Sequence, residues 1–406
     1  MNPYSSTWSH PYWLDVPLLR GTDPLPSGAS IVIVGSGLAG VSCAWFLLQA
    51  GFEDILLVDY QPEIAATCRN AGHILYGTVE SMKAMVAIHG EEKARALWTF
   101  SIDICEEVKQ TVEALGAAVD YRQDGYLVIG MDEAEDMELR ESVVLLNRMG
   151  FQSEYVPGEE VRKLGFEGVT GARFEQGSAQ AHPVKFRNAV LSACLQRGLR
   201  YSTGVKVETL EEEGDGVTLH TAQGTLRAEA VVIAANAYSP LFSDFFRARR
   251  LVEPFRGQVI VSEVLKKPPQ VRIPHSFDHG YEYALVTPDD RLLIGGWRNN
   301  SATREVGLYA LEVNPHIEEG LKQFVREHYR LDEEVRWAYS WSGIMAASKT
   351  GLPFIGNTSS PRIYACCGWT GHGFSWAHGS AKVLAGVMSG GDVPEVARYF
   401  NPKLLD

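Results

Sequence analysis

The chain has 406 residues, of which 45% are hydrophobic and 21% are charged. This length allows two or three domains, and the composition is that of a globular protein rather than a disordered chain or a coiled coil. Its 37 basic and 50 acidic residues give a net charge of −13. An acidic chain does not attract phosphate over long range, so we expect no nucleic-acid partner.

Six cysteines are scattered along the chain without a CxxC pair or a metal-type spacing. They are interpreted as reduced thiols, and no metal site is predicted. The first thirty residues lack the charged start and apolar core of a signal peptide, and no apolar run reaches the ~20 residues of a membrane span. The expected location is therefore the cytoplasm, with no membrane span.

An aromatic and proline-rich stretch opens the chain and is interpreted as an extended arm over residues 1–25. The β-branched run 31–34 then predicts a buried parallel strand, 41–49 a helix and 55–58 a second strand. These three elements form a βαβ unit, the usual framework of a dinucleotide site.

The turn of this unit carries the pattern Gly35-x-Gly37-x-x-Gly40, and Asp59 follows its second strand. The glycines permit a tight turn and close approach of a pyrophosphate to the backbone. The acid can accept hydrogen bonds from ribose hydroxyls. The unit predicts a dinucleotide site and leaves the choice between FAD and NAD open.

The rest of the chain alternates helices and strands unevenly. Helices are predicted at 79–118, 132–165, 184–199 and 374–388, and strands at 126–129, 205–207, 217–220, 231–235, 258–261, 281–286, 291–294 and 363–367. The predicted fold class is a mixed α/β fold in which a Rossmann-like dinucleotide domain is interleaved with a substrate domain on a largely antiparallel sheet. The first domain is assigned to 26–90, 180–245 and 345–406, and the second to 91–179 and 246–344.

Four later segments resemble one family of flavoenzymes. Residues 65–74, 181–183, 235–238 and 368–374 resemble, in the same order, segments of the D-amino-acid-oxidase-like family of FAD-dependent amine oxidoreductases. The γ-glutamylputrescine oxidoreductase-like branch is the most similar, since it shares the Tyr-Trp-Leu-Asp lead at 12–15, and sarcosine and glycine oxidases are more distant. The resemblance implies bound FAD and oxidation of an amine to an imine by hydride transfer to flavin N5.

The resemblance and the dinucleotide pattern together give the expected FAD contacts. These are Gly35, Ser36, Gly37, Leu38, Ala39, Gly40, Asp59, Tyr60, Cys68, Arg69, Asn70, Ala71, Gly72, His73, Val207, Ala235, Asn236, Gly343, Gly371, His372, Gly373 and Phe374. The FAD is expected to be non-covalent, because positions matching the covalent attachment sites of relatives fall near Gly343 and Arg69, neither of which is a suitable nucleophile.

Other departures from sarcosine oxidase concern the substrate and the electron acceptor. The lysine associated with oxygen activation falls on Ile294, which leaves the acceptor open between oxygen and another molecule. The basic pair that binds a substrate carboxylate falls on Ser375 and near Thr78. A small amino acid held by that pair is therefore disfavoured, and a small-molecule amine is the expected substrate.

Active-site residues are expected among polar and aromatic positions near the flavin. Tyr283, Arg298 and His372 align with polar active-site positions of sarcosine oxidase, and His73 follows the flavin-contacting segment. An aromatic enclosure for the amine is expected from four further residues, because aromatic faces attract ammonium groups. These are Tyr281, Trp297, Trp341 and Trp369. Plain core packing is the alternative for each aromatic residue.

Two alternative functions stay open from the sequence. One is a D-amino-acid or N-methyl-amino-acid dehydrogenase or oxidase. The other is an FAD-binding electron-transfer subunit that is inactive without a partner chain.

Overall fold

The computed structural model describes residues 9–405, so residues 1–8 of the predicted arm lie outside the described part. The helices are α1 (Leu38–Gln49), α2 (Met82–His89), α3 (Glu91–Leu115), α4 (Glu133–Arg148), α5 (Gly158–Lys163), α6 (Pro183–Gln196), α7 (Asp244–Arg249), α8 (Pro315–His328) and α9 (Gly373–Ser389). The strands are β1 (Gly28–Val34), β2 (Ile55–Asp59), β3 (His73–Ile74), β4 (Tyr126–Gly130), β5 (Glu154–Pro157), β6 (Gly171–Glu175), β7 (Ala179–Gln180), β8 (Arg200–Thr203), β9 (Val207–Glu213), β10 (Gly216–Thr221), β11 (Gly224–Ile233), β12 (Val252–Ser262), β13 (His275–Phe277), β14 (Glu282–Val286), β15 (Leu292–Gly295), β16 (Trp337–Ser348), β17 (Phe354–Asn357) and β18 (Ile363–Cys367).

The first sheet is the dinucleotide-type sheet. Its strand order is β17-β18-β11-β1-β2-β8, and the strands from β18 to β8 are parallel. Along β1, Ile31 and Ile33 face the core that contains α1, α3, α6 and α9, while Val32 and Val34 face the core on the other side of the sheet. Both faces are buried, which explains the continuous apolar run that identified this strand.

The second sheet is largely antiparallel, as predicted. Its order is β16-β12-β15-β14-β13-β4-β6-β5, and only the pairing of β13 with β4 is parallel. The long strands β12 and β16 pair over their whole length at one end of this sheet. The mixed α/β fold class expected from the sequence is confirmed.

Several predicted element boundaries are wrong. The predicted helix over 79–118 is two helices, because the chain turns at Gly90, where φ is +79°. The predicted helix over 132–165 contains strand β5 between α4 and α5. The strand expected at 205–207 begins only at Val207, since Gly204 adopts a φ of +77° after β8. In the predicted extended arm, residues 12–15 form a turn of 3₁₀ helix.

Helix α3 lies in the core of the dinucleotide half, although the sequence assigns residues 91–179 to the substrate domain. Its buried residues Leu97, Ile104 and Val108 pack with α1 and α9 in one core. A Cβ atom at Gly379 of α9 would lie 2.0 Å from Ile104. This glycine therefore allows the two helices to pack closely. The remaining domain boundaries stay predictions.

His378 connects three helices inside this core. Its Nδ1 lies 2.8 Å from the Ser42 hydroxyl of α1, and its Nε2 lies 2.9 Å from the Thr111 hydroxyl of α3. The ring is fully buried, and burial lowers the pKa of His378 to about 3. The side chain is consequently uncharged in the folded protein at neutral pH.

Of the helices in residues 9–405, none combines the length and the apolar character needed to cross a membrane.

The pKa of His378 predicts part of the pH dependence of stability. An unfolded histidine titrates near pH 6.5, so below that pH the unfolded chain binds a proton that folded His378 does not. Its contribution to stability is present above pH 6.5 and is lost as the pH falls toward 3. We expect the melting temperature of His378→Gln to fall less between pH 7 and pH 5 than that of the wild type.

Thermal unfolding followed by circular dichroism at both pH values measures this difference. His316→Gln is the control, because His316 is exposed. Equal decreases in melting temperature for the wild type and His378→Gln would contradict the prediction.

Candidate active site

A cavity of about 730 Å³ has walls from both sheets. The first sheet contributes the end of β1, the start of α1 and the residues after β2 and β11. The second sheet contributes residues of β4, β12, β14 and β16. Because residues of the dinucleotide turn and most of the predicted catalytic residues share these walls, we identify the cavity as the candidate active site.

The turn between β1 and α1 requires glycine at two positions. Gly35 has a φ of +107°, and a Cβ atom at Gly40 would lie 1.7 Å from the carbonyl oxygen of Gly35. This tight turn places Gly37, Leu38 and Ala39 in the cavity wall. Amides at the start of a helix bind anionic groups, so the turn fits a pyrophosphate.

Asp59 ends β2 beside this turn. Its Oδ2 accepts a hydrogen bond of 2.6 Å from the amide of Ser36, and Asp59 lines the cavity together with Tyr60. Burial raises the pKa of Asp59, while hydrogen bonds from Ser36 and the charge of Arg187 oppose that rise. The acid therefore fixes the turn and also lies where it can accept ribose hydroxyls.

Arg187 was not predicted from the sequence, yet it holds this turn from behind. The side chain comes from α6 and is 1% exposed. Its guanidinium donates to the carbonyl oxygen of Ser36 at 3.0 Å, to that of Leu19 at 2.7 Å and to the Tyr201 hydroxyl at 2.9 Å. The Tyr201 hydroxyl is itself 2.8 Å from the Ser36 hydroxyl. These contacts bury Ser36 outside the cavity wall and fix its backbone.

The segment after β2 is attached to the start of α1. The hydroxyl of Thr67 accepts a hydrogen bond of 2.8 Å from the amide of Leu38. Thr67 thus caps the start of α1, although it lies far from that helix in the sequence. No local sequence pattern predicts such a cap. Cys68, the next residue, is buried away from the cavity, and its thiol contacts the carbonyl oxygen of Pro62.

Arg69 lines the cavity, but its guanidinium is engaged by the protein. Its Nε donates to the carbonyl oxygen of Glu63 at 3.0 Å, and its Nη1 donates to that of Ser342 at 2.7 Å. Burial lowers the pKa of Arg69 to about 10. Because Ser342 belongs to β16, Arg69 connects the segment after β2 to the second sheet.

Two indole rings hold the same segment. Trp13 of the N-terminal arm donates to the carbonyl oxygen of Asn70 at 2.6 Å, and Trp341 of β16 donates to that of Arg69 at 3.0 Å. Gly72 has a φ of +78° and packs against the Trp13 ring. Trp341 is fully buried and lies outside the cavity wall. Its expected place in the substrate pocket is therefore wrong.

Aromatic and cationic groups form the wall on the second sheet. The ring of Tyr283 lies over Gly295, where a Cβ atom would be 2.5 Å from the ring. The Arg298 guanidinium lies 4.7 Å from the centre of the Phe255 ring and 5.3 Å from that of Tyr281. Burial raises the pKa of Tyr283 to about 12, so its hydroxyl remains a hydrogen-bond donor at neutral pH.

Two uncharged histidines complete the wall. Burial lowers the pKa of His73 to about 3 and that of His372 to about 4. Within residues 9–405, neither Nε2 of His73 nor Nδ1 of His372 has a hydrogen-bond partner. The His73 ring packs edge-on near Tyr126 and Tyr283. His372 directly precedes α9, whose first residues Gly373 and Phe374 also line the cavity.

Most of the predicted site residues meet at this cavity. Those that line it are Gly35, Gly37, Leu38, Ala39, Asp59, Tyr60, Arg69, Asn70, Ala71, His73, Val207, Ala235, Asn236, Tyr281, Tyr283, Arg298, Gly343, Trp369, Gly371, His372, Gly373 and Phe374. Those outside the wall are Ser36, Gly40, Cys68, Gly72, Trp297 and Trp341. Of these, Trp297 packs against Gly320 and Phe324 instead of the cavity.

Three residues align with, or fall near, basic residues of sarcosine oxidase, and they differ in whether they line the cavity. Ile294 faces the core on the far side of the second sheet, whereas its neighbour Leu293 faces the side that holds Ala71 and Trp341. The identity of residue 294 therefore carries no inference about the electron acceptor. Ser375 is buried outside the wall, and Thr78 lies in it.

The walls fit FAD. The glycine turn, the acid at the end of β2 and the start of α9 all line one cavity. Gly343 lines it too, and a Cβ atom at this position would lie 2.8 Å from the Cβ of Arg69.

Comparison with known proteins agrees with this fit. The family described as "DAO: FAD dependent oxidoreductase" matches residues 30–387. The chain belongs to this FAD-dependent oxidoreductase family.

The names of similar proteins indicate different substrates. The γ-glutamylputrescine oxidoreductase of Escherichia coli is 26% identical over 368 residues, which are 89% of this chain and 83% of that protein. A D-amino acid dehydrogenase of Cereibacter sphaeroides is 25% identical over 418 aligned residues, covering 90% of this chain and 93% of that one. The glycine oxidase structure from Geobacillus kaustophilus has a TM-score of 0.76 at 19% identity and covers 93% of this chain and 98% of its own. At that identity the structural match supports the fold alone.

Arg187 provides a test of how this DAO-family oxidoreductase binds FAD. Arg187→Met removes five hydrogen bonds, including two to Ser36 and one to the Tyr201 hydroxyl, and leaves those buried acceptors without this partner. A hydrogen bond to a charged group contributes about 1.5–3 kcal/mol, so we expect a roughly 10- to 100-fold loss of FAD affinity. Titration of the apoprotein with FAD, followed by quenching of flavin fluorescence, measures the change.

Arg197→Met is the matched control, because Arg197 directly follows the same helix but is exposed. FAD affinity of Arg187→Met equal to that of this control would show that the buried network does not support the site.

The cofactor attachment provides a second test. A nucleophilic side chain at Gly343 would collide with Arg69, and the Cys68 thiol, whose pKa burial raises to about 12, lies outside the cavity. We therefore predict non-covalent FAD. Acid precipitation followed by filtration should leave all the yellow colour in the filtrate, whereas colour retained in the pellet would contradict the prediction.

Proposed function

We propose that this oxidoreductase oxidises the carbon–nitrogen bond of an amine to an imine, with a γ-glutamylputrescine-like compound or another amine or amino-acid derivative as substrate. The supporting observation is that Tyr283, Arg298, His73 and His372 share one cavity with the FAD segments. Bound FAD supplies the two-electron acceptor, which takes a hydride from the carbon next to the nitrogen. The imine then hydrolyses to a carbonyl compound and an amine or ammonia.

The protonation state of the substrate is central to this proposal. Only an uncharged amine has the lone pair that assists loss of hydride from the neighbouring carbon. Close to Arg298 that form is favoured, because burial disfavours an ammonium ion and the guanidinium repels it. His73 and His372, whose pKa values are about 3 and 4, accept hydrogen bonds but are too weakly basic to hold the amine's proton. The proton therefore leaves to water before or during binding.

Tyr283 and the aromatic residues orient the substrate in this proposal. The Tyr283 hydroxyl, with a pKa raised to about 12, donates a hydrogen bond rather than accepting a proton. Tyr281 and Trp369 present aromatic surface to the same cavity. Holding the donor carbon at the correct distance and angle is the main contribution the protein can make to such a transfer.

A second candidate is oxidation of a D-amino acid or an N-methyl amino acid. Similarity to a D-amino acid dehydrogenase and the presence of Arg298 in the cavity favour it, since guanidinium groups bind carboxylates. The absence of a basic residue at Thr78, which lines the cavity, argues against this candidate.

Anaerobic reduction of the flavin tests the proposal. A panel of primary amines, γ-glutamyl amines, N-methyl amino acids and D-amino acids is mixed with the isolated holoenzyme, and bleaching of flavin absorbance is followed by stopped flow. We expect bleaching by at least one amine, with a rate constant at low substrate that rises about tenfold per pH unit up to the pKa of that amine.

Two substrates with different amine pKa values provide the control, because the inflection should move with the substrate. An inflection near pH 6.5 shared by all substrates would instead indicate a protein base. No bleaching by any compound of the panel would contradict the proposal and favour an electron-transfer subunit. Reoxidation of the reduced protein by oxygen and by an artificial acceptor then identifies the acceptor class.

A further inference from the structure

Arg173 is a cavity residue to which neither the dinucleotide pattern nor the family resemblance assigns a role. It lies on β6, next to Val128 of β4 in the register of the second sheet. Val128 is next to Ser276 of β13, and Ser276 is next to Tyr283 of β14. All four residues line the cavity. Arg173 therefore lies in the same row as Tyr283, three strands away.

The Arg173 guanidinium is buried with unused donors. Its side chain is 8% exposed, and its Nη2 forms an ion pair of 2.9 Å with Glu175. In the part of the chain that the structure describes, its Nε and Nη1 have no hydrogen-bond partner. The ring of Trp98 also lies near it, 5.5 Å from the guanidinium carbon. Buried charged donors without partners are costly, so a group that satisfies them has a large advantage.

The other arginines of the cavity wall are engaged differently. Arg69 donates to two backbone carbonyl groups, of Glu63 and Ser342. Arg298 packs against two aromatic rings, donates to the carbonyl oxygen of Arg304 and is partly exposed. Arg173 differs from both, because it belongs to the cavity wall, is nearly inaccessible to solvent and keeps two donors that no group in residues 9–405 satisfies. The planar guanidinium matches a carboxylate in geometry and charge.

A ligand group bound by Arg173 would be distant from a reacting bond near Tyr283. Neighbouring strands lie about 4.8 Å apart, so three steps across the sheet place the backbone of Arg173 about 14 Å from that of Tyr283. The same cavity wall includes the apolar residues Leu75, Val79 and Leu139, together with the carboxylates Glu80, Glu135 and Glu138. A methylene chain is complementary to the apolar part of this wall, because burial of each CH₂ contributes about 0.8 kcal/mol.

We propose that Arg173 binds a carboxylate at the end of the substrate remote from the oxidised carbon–nitrogen bond. The substrate class is then an elongated amine with a terminal carboxylate, held by Arg173 at one end and oriented near Tyr283 at the other. Glu175 is a positioning residue, since its ion pair fixes the guanidinium. This inference rests on the proposed amine oxidation for its kinetic test.

Matched pairs of acids and amides test the inference. The probes are ω-amino acids of four to eight carbons and the carboxamides of the same lengths, each used to bleach the flavin without oxygen. We expect the wild type to be reduced by the preferred acid more than tenfold faster at low concentration than by its amide. In Arg173→Met, the rate of flavin reduction by the acid at low concentration should fall roughly 10- to 100-fold, as expected for loss of a hydrogen bond to a charged group. The rate with the amide should change less than threefold.

Two further variants distinguish loss of the carboxylate contact from a folding defect. Arg173→Met leaves Glu175 buried without its partner, so the double variant Arg173→Met/Glu175→Gln removes both charges. Arg162→Met is the control, because Arg162 lies beside the same sheet, donates to the carbonyl oxygen of Val169 and is outside the cavity wall. The control should keep the preference for acids, and the double variant should lose it.

The outcomes separate this inference from the proposed function. An acid preference that persists in the folded double variant, or that is absent from the wild type, overturns the role of Arg173. An Arg173-dependent preference for D-alanine over D-alaninamide, without one for ω-amino acids, overturns the remote position of the carboxylate. If no amine bleaches the flavin, binding of adipate is followed through the flavin absorbance spectrum. Adipate binding that Arg173→Met weakens supports the carboxylate site, and no binding to the wild type overturns it.

Discussion

The close contact between Gly40 and the carbonyl oxygen of Gly35 determines where α1 begins, and the cofactor wall depends on that position. A Cβ atom at Gly40 would lie 1.7 Å from that oxygen, so a larger residue would push the helix away from the strand. With α1 in place, the Leu38 amide reaches the Thr67 hydroxyl, and the Ser36 amide reaches Asp59. One backbone contact therefore positions the glycine turn, Asp59 and the segment that follows them.

Around residues 69 and 70, the two halves of the cavity are held together by hydrogen bonds to backbone carbonyl groups. Trp341 donates to the carbonyl oxygen of Arg69 and Trp13 to that of Asn70, while Arg69 donates back to the carbonyl oxygen of Ser342 in the second sheet. The arm that carries Trp13 is fixed to the second sheet as well, because Tyr12 donates to Asp289. Indole and guanidinium donors satisfy buried carbonyl oxygens that water does not reach, so the same contacts that order the cofactor segment also join the sheets.

The local parts of the fold and site follow from the sequence, and the long-range parts do not. Strand β1, its glycine turn and Asp59 form one short stretch with a regular pattern, which explains why they were predicted with nearly correct boundaries. Arg187 and Arg173 act through partners or a cavity that only the folded chain brings near, and no spacing rule identifies them. The error at Trp341 has a related cause. Trp341 and Gly343 are two residues apart on β16 and share one face of that strand, but only Gly343 reaches the cavity wall. A correctly placed strand therefore leaves open how far along it the cavity extends.

This acidic protein can bind an anionic group selectively only through short-range contacts in the cavity. With a net charge of −13, the molecule as a whole repels anions, and fields at its surface fade over about 10 Å at 0.1 M salt. The cavity wall carries both signs, because Arg69, Arg173, Arg298 and Lys206 line it together with Asp59, Glu80, Glu135 and Glu138, while His73 and His372 stay uncharged. An anion is therefore attracted by single arginines rather than by the cavity as a whole. A buried arginine interacts strongly only with a group that reaches it and replaces its solvation. Discrimination among amines then depends on where each one carries its negative charge, which places specificity on the position of Arg173 in the sheet rather than on the number of basic residues.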